Sequence, residues 1–385
     1  MSVTAPLGFR AAGVAAGIKS SGLPDVAVVL NDGPSRAAAA VFTRNRVQAA
    51  PVLWTRQVVA GGRVSAVVLN SGGANACTGP YGFQDTHATA EHLAAALGGP
   101  AGAGEMAVCS TGLIGERLPM AKLLTGVDAA VSSASRSGGL SAADAIRTTD
   151  TVVKIAFRRD ADFAVGGMAK GAGMLAPGLA TMLCVLTTDA GLLAADLDTA
   201  LRSAVAVTFD RLDTDGCMST NDTVLLMASG ASGVVPDIGE FTRTLTEVCA
   251  DLTRQLQLDA EGASKMITIE VIGAASERDA VVAGRAVARS NLLKCAIGGA
   301  DPNWGRVLSA VGTTDAVFEP DRLNVAINGV WICRNGAAGD ERSKVDLSGR
   351  DVTITVDLSA GPHSASILTT DLTAAYVHEN SAYST

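Results

Sequence analysis

No two of the seven cysteines lie at CxxC spacing, and their number is odd. That excludes the ligand spacing of a structural zinc site and the paired framework of a disulfide scaffold. The expected setting is a reducing one, so the location expected is cytoplasmic, with most thiols buried as small apolar side chains. Histidine is scarce as well. Only His87, His92, His363 and His378 occur, and none falls in HExxH. His87 and His92 are five apart, which puts them on different faces of a helix and argues against a metal pair. No GxxxxGK[ST] phosphate loop is present. No metal and no cofactor are expected. Positive charge is in short supply: 30 Lys and Arg face 38 Asp and Glu, a formal net charge of -8, with no block of like charges. A nucleic-acid partner, which needs clustered Lys and Arg, is not expected. The first residues lack the basic start and unbroken apolar centre of a signal peptide. Two long uncharged runs, 64–84 and 171–188, are interrupted by Asn, Ser, Gly or Pro and make poor membrane spans, so no membrane partner is expected.

What is present is a globular composition, 48% hydrophobic and 18% charged. The length of 385 residues suits about two domains. Residues 26–30, 38–43, 64–69, 106–109, 267–271, 323–328, 352–357 and 364–369 read as strands. Residues 84–97, 141–147, 194–206, 241–258 and 277–289 read as helices, with Ser141 as a cap. The interspersed β and α segments predict an α/β (α+β) chain of packed sheet and helix layers.

The chain is organised around residues 166–188, GGMAKGAGMLAPGLATMLCVLTT. A glycine-rich loop carrying Lys170 leads to a short apolar run headed by Thr181. Gly171-Ala172-Gly173-Met174-Leu175-Ala176 matches GxGxxA, but Pro177 and Gly178 fall where the dinucleotide-binding helix would begin. Residues 181–187 can be an ordinary buried strand. From periodicity alone that plain reading is favoured, and the same strand can at the same time mount a nucleophile, because a threonine hydroxyl needs a base and a cut before Thr181 frees one. The α-amine so released has an unperturbed pKa of about 7.7–8 and accepts a proton near neutral pH without any histidine. Acyl transfer also needs oxyanion donors. Thr111 and Gly112, at a strand end, can provide a hydroxyl and a backbone N–H; the alternative is a plain turn. Lys170 can hold a substrate carboxylate or be merely solvated. Glu261 can meet a substrate ammonium or be a surface charge near a helix end.

Taken together, these residues resemble the ornithine acetyltransferase family, also called glutamate N-acetyltransferase, of arginine biosynthesis. The resemblance spans nearly the whole chain. It includes Asn70-Ser71-Gly72-Gly73-Ala74-Asn75-Ala76, Ser110-Thr111-Gly112-Leu113-Ile114-Gly115, Thr148-Thr149-Asp150 and Lys170-Gly171-Ala172-Gly173-Met174. It continues with Ala180-Thr181-Met182-Leu183, Ser219-Thr220-Asn221-Asp222, Asp301-Pro302-Asn303-Trp304-Gly305-Arg306 and Glu379-Asn380-Ser381-Ala382-Tyr383. Each piece is short; their joint order is specific. The resemblance implies self-cleavage between Ala180 and Thr181, giving an α chain 1–180 and a β chain 181–385. It implies a layered αββα core completed by 181–275, a smaller α/β lobe 276–385 whose tail reaches the active site, and an α2β2 heterotetramer. Thr181 would take acetyl from N-acetylornithine, release ornithine and pass the acetyl to glutamate. Thr111 and Gly112 match the family's oxyanion positions, and Thr148, Lys170, Thr181, Glu261, Asn380 and Thr385 its substrate-binding positions. Two alternatives stay open: a bifunctional enzyme that also acetylates glutamate from acetyl-CoA, and a related self-cleaving aminopeptidase or amidase.

Overall fold

The computed structural model describes residues 2–176 and 182–382. They form two compact units, one holding residues up to Asp210 together with Cys217–Asp259, the other holding Arg211–Gly216 and the chain from Ala260 onward.

The first unit contains strands β1 (Phe9–Val14), β2 (Val26–Asn31), β3 (Ala38–Phe42), β4 (Ala66–Ser71), β5 (Met106–Thr111), β6 (Lys154–Arg159), β7 (Ala164–Lys170), β8 (Leu183–Thr188) and β9 (Thr223–Ala228). Its helices are α1 (Ala50–Ala60), α2 (Gly79–Leu97), α3 (Met120–Ser133), α4 (Gly139–Ala145), α5 (Ala194–Val207) and α6 (Ile238–Leu258). One sheet runs β1-β2-β4-β5 and the other β3-β9-β8-β7-β6. In each, one pair is parallel, β4 with the edge strand β5 in the first and the interior pair β8 with β9 in the second, and the rest are antiparallel. Every residue of β2, β4, β5, β8 and β9 is buried. Covered on both faces, such strands read as unbroken apolar runs instead of alternating patterns. Residues of both sheets, among them Val28, Leu69, Met106, Met168, Val185 and Leu225, share one apolar cluster. Helix α6 buries Phe241, Leu245, Val248, Leu252 and Leu256 against β6 and β7, a spacing of three and four that makes one helical face. Its start is fixed by Asp237, whose side chain accepts the N–H groups of Gly239 and Glu240.

The stretch expected as a glycine loop before Lys170 is the buried strand β7. A Cβ on Gly166 would lie 2.2 Å from the Ser2 carbonyl, and one on Gly167 would lie 2.9 Å from both Leu186 and Leu252. These glycines serve close packing within a sheet, not loop mobility. Ser141 is not a helix cap either: α4 starts after Gly138, and the Ser141 hydroxyl donates to the Gly138 carbonyl.

The second unit contains β10 (Met266–Ala274), β11 (Asn324–Ile327), β12 (Val330–Arg334), β13 (Ala337–Ala338), β14 (Asp351–Asp357) and β15 (His363–Thr370), in the order β13-β12-β11-β14-β10-β15. Helices α7 (Glu277–Ala288), α8 (Asn291–Gly298), α9 (Trp304–Val311) and α10 (Ala374–Ala382) complete it. The side chains of Ser276, Ser290 and Asn303 cap the first three of these helices. The lobe expected from residue 276 starts earlier. Strand β10 pairs with β14 and β15 and sits inside this unit's sheet, so residues 266–274 do not complete the main core. Among the described residues, no helix is long and apolar enough to cross a membrane.

Candidate active site

Parallel strands β4 and β5 end side by side at Ser71 and Thr111. The loops that follow are tied into one body. Asn70 donates to the Gly73 carbonyl at 3.0 Å, and Ser110 donates to Asn70 Oδ1 at 2.6 Å. Asn221, two residues before β9, donates to the Ala74 carbonyl at 2.6 Å and the Ser110 carbonyl at 2.8 Å. All three of these polar residues are buried. A buried polar group that is fully paired holds one geometry, which a reactive site needs.

Gly112 follows at φ +127°, and a Cβ there would lie 2.5 Å from the Gly73 nitrogen. Only glycine fits this backbone and this approach. Among the described residues the Gly112 N–H has no acceptor. Beside it, the Thr111 hydroxyl is 4% exposed and accepts from Lys170 Nζ at 3.3 Å. An oxygen that accepts from an ammonium keeps its own proton for donation, and the positive charge strengthens that donation. Lys170 itself is 2% exposed at the end of β7. Its place is set by the pairing of β7 with β8, in which Lys170 stands opposite Leu183.

Lys170 is surrounded by an ionic network that sequence reasoning did not assign. Asp150 Oδ1 accepts from Lys154 Nζ and from the Gly171 N–H, both at 2.6 Å, and Oδ2 accepts from the Thr148 N–H at 3.0 Å. Lys154 is wholly buried and also donates to Asp259 at 2.6 Å. Burial pushes the Asp150 carboxyl up, but the charges of Lys170 and Lys154 and the Gly171 N–H outweigh it and hold the group at about 2. Asp150 is therefore an anion at neutral pH. It draws Thr148 and the residue after Lys170 to one place.

A second buried carboxyl lies across the β8–β9 pair. Asp222 Oδ1 accepts from the Met182 N–H at 3.0 Å, and the Met182 carbonyl accepts from the Thr223 N–H at 3.2 Å. Burial raises Asp222 well above the ordinary carboxylate value, against the opposing pull of the Met182 N–H, Ser219 and the Lys170 charge. The charge of Lys170 acts on both acids, yet Asp150 is held below and Asp222 above the ordinary carboxylate value, a pattern that marks functional sites. The thiols nearby are no rival nucleophiles: burial pushes Cys109 to about 12 and Cys184 well above its ordinary value.

Of the residues singled out from the sequence, the first unit brings together Thr111, Gly112, Lys170 and Thr148. Glu261 and Asn380 lie in the second unit, where Asn380 Nδ2 donates to Glu261 Oε2 at 2.9 Å. Ala180, Thr181 and Thr385 lie outside the described residues. Asp150, Lys154, Asn221 and Asp222 were missed as site residues, although Asp150, Asn221 and Asp222 belong to short polar runs already noted. What marks them is burial, and that is not written in a single sequence.

The ArgJ family model matches residues 10–385. The arginine biosynthesis bifunctional protein ArgJ of Thermobifida fusca (strain YX) is 73% identical over 385 residues, covering 100% of both chains. The arginine biosynthesis bifunctional protein ArgJ 1 of Streptomyces clavuligerus is 68% identical over 384 residues, again covering 100% of both. Among solved structures, ornithine acetyltransferase complexed with ornithine, from Mycobacterium tuberculosis, is 63% identical with a TM-score of 0.46, over 47% of this chain and 96% of that one. A match along nearly the entire chain, at this identity, means that the chain belongs to the ArgJ family.

Proposed function

We propose that this chain is an acetyltransferase of arginine biosynthesis, moving acetyl from N2-acetyl-L-ornithine to L-glutamate through an acetyl-Thr181 intermediate. The observation that carries this reading is the pair of donors at the end of β5. The Gly112 N–H and the Thr111 hydroxyl stand together, and the Lys170 ammonium lies 3.3 Å behind the hydroxyl. Such a pair suits the oxyanion of a tetrahedral acyl intermediate.

The reaction begins with a cut between Ala180 and Thr181. The α chain is then 1–180 and the β chain 181–385, and the freed α-amine of Thr181 is the base for its own hydroxyl. The cut does not separate the pieces, because β7 of one is paired with β8 of the other from Val165↔Thr188 to Lys170↔Leu183. The hydroxyl attacks the acetyl carbon of acetylornithine. Ornithine leaves with a proton from the Thr181 ammonium, and the glutamate amine then attacks the acetyl-threonine. Lys170 polarises Thr111; Thr148, Glu261, Asn380 and Thr385 contact substrate. The rest of the reading is an αββα order for the first unit's layers, an α2β2 heterotetramer and a cytoplasmic location. The name of the relatives, arginine biosynthesis bifunctional protein, favours a second activity, acetylation of glutamate from acetyl-CoA, which glutamate-dependent release of free CoA tests directly.

Mass measurement of the denatured wild-type protein tests the centre of the proposal. Fragments 1–180 and 181–385 are expected, with parallel double-reciprocal lines for the two substrates. Thr181→Ala is expected to stay whole and inactive. An active wild-type enzyme found as one uncut chain sinks the proposal.

A further inference from the structure

We propose that Asn221 is the positioning residue of the oxyanion donors, and this rests on the acyl transfer proposed above. A peptide unit is planar, so a grip on its carbonyl aims the N–H on its other side. The Gly112 N–H shares a peptide with the Thr111 carbonyl, and that carbonyl accepts from the Gly73 N–H at 3.0 Å. Gly73 therefore aims the Gly112 N–H. Two side-chain amides hold the loop that carries Gly73. Asn70 donates to the Gly73 carbonyl at 3.0 Å, and Asn221 donates to the Ala74 carbonyl at 2.6 Å. The second Asn221 hydrogen goes to the Ser110 carbonyl at 2.8 Å, in the peptide just before Thr111. One nitrogen thus fixes Thr111 directly from one side and, through Ala74 and Gly73, from the other.

The clamp is itself immobile. Asn221 is 5% exposed, and its Oδ1 accepts from the Thr220 hydroxyl at 2.6 Å. Carbonyls only accept, so the amide cannot turn over without facing oxygen to oxygen. Its backbone is anchored on both sides: the Thr220 carbonyl accepts from the Ala49 N–H and the Asp222 carbonyl from the Thr43 N–H, both at 3.0 Å. The β4–β5 ladder already runs to Ser71↔Thr111 without it. What Asn221 adds is the geometry of the loops beyond the ladder. Acyl transfer needs that geometry twice, because the acetyl oxygen turns negative when acetylornithine is attacked and again when glutamate attacks the acetyl ester. Loosening the clamp slows both steps by one factor and leaves substrate binding alone, since the donors gain strength only as charge develops.

The test uses the full-length protein in rapid mixing. Acetylornithine without glutamate releases a burst of ornithine, whose amplitude counts folded, mature sites and whose rate is that of acylation. Glutamate added to the acetyl-enzyme then gives the rate of transfer. Asn221→Ala is expected to slow both rates by the same factor, roughly 10-fold to 10²-fold, with half-saturating acetylornithine within about twofold of wild type. A smaller amplitude at wild-type rates means a role in folding alone and overturns the proposal, as does a fall confined to one step. A wild type without a burst overturns the acetyl-enzyme reading and the proposal with it. Should Asn221→Ala fail to fold or mature, Thr220→Val decides, because it removes the hydroxyl that orients Asn221 and keeps the volume. It is expected to slow both steps equally, by roughly threefold or more, and wild-type rates overturn the proposal.

Discussion

Thr111→Val removes one oxygen from the centre of the site and leaves its shape. The position closes β5, is 4% exposed, and has its hydroxyl 3.3 Å from Lys170 Nζ. Valine keeps the β-branched volume, so no cavity opens. Two separate effects follow. In the folded protein, a hydrogen bond from a charged donor is lost, at a cost of about 1.5–3 kcal/mol. In the transition state of the proposed mechanism, one of two oxyanion donors is lost, at a cost of about 3–4 kcal/mol, or a fall in kcat of about 10²–10³. The KM for acetylornithine should change little, because this donor gains strength only as negative charge develops on the acetyl oxygen. The assay is ornithine release at saturating glutamate. It must use protein shown by denaturing mass to be cut, since under the proposed mechanism slow maturation would imitate slow transfer. A fully cut Thr111→Val with kcat within about threefold of wild type would show that the hydroxyl does not face the oxyanion.

Gly112→Ala combines a left-handed φ of +127° with a Cβ 2.5 Å from the Gly73 nitrogen. It is expected to cost at least about 1–3 kcal/mol in a denaturant midpoint and to lower activity further by shifting the Gly112 N–H; an unchanged midpoint and activity would remove Gly112 from the site. The Asp150 carboxyl, at about 2 when folded against 3.8 ordinarily, gives a signed acid response. Because the folded value is depressed, its contribution of about 2 kcal/mol is present above pH ~4 and is lost as pH falls through ~2. Asp150→Asn should remove that part of the acid sensitivity between about pH 5 and pH 2, and an identical acid loss in wild type and variant would refute the assignment.

Strands β2, β4 and β5 were legible because both faces are covered and the sequence therefore runs apolar without interruption. Helix α6 was legible because Phe241, Leu245, Val248, Leu252 and Leu256 repeat at helical spacing. Helix α1 escaped notice, although Pro51 at its first turn is a recognisable start signal. Strand β7 was misread because glycine statistics favour a loop, while its glycines are there for neighbours that approach within 3 Å. The reactive residues divide the same way. Thr111, Gly112, Thr148 and Lys170 stood out by motif. Asp150, Lys154 and Asp222 did not, because a carboxylate or a lysine in a sequence carries no mark of whether water reaches it.

By itself the sequence determined which side chains are available and in what order, and the order of several short motifs was enough to point to one family. It excluded zinc frameworks and phosphate loops by what it lacks. Only the tertiary structure decided how the charges are placed. It set Lys170 against a hydroxyl 59 residues away, ionised Asp150 with two lysines and, by burial, raised Asp222 above the ordinary carboxylate value. The physical reason is that protonation state and hydrogen-bond strength depend on burial and on neighbours brought from distant strands, and those exist only once the two sheets have closed over the site.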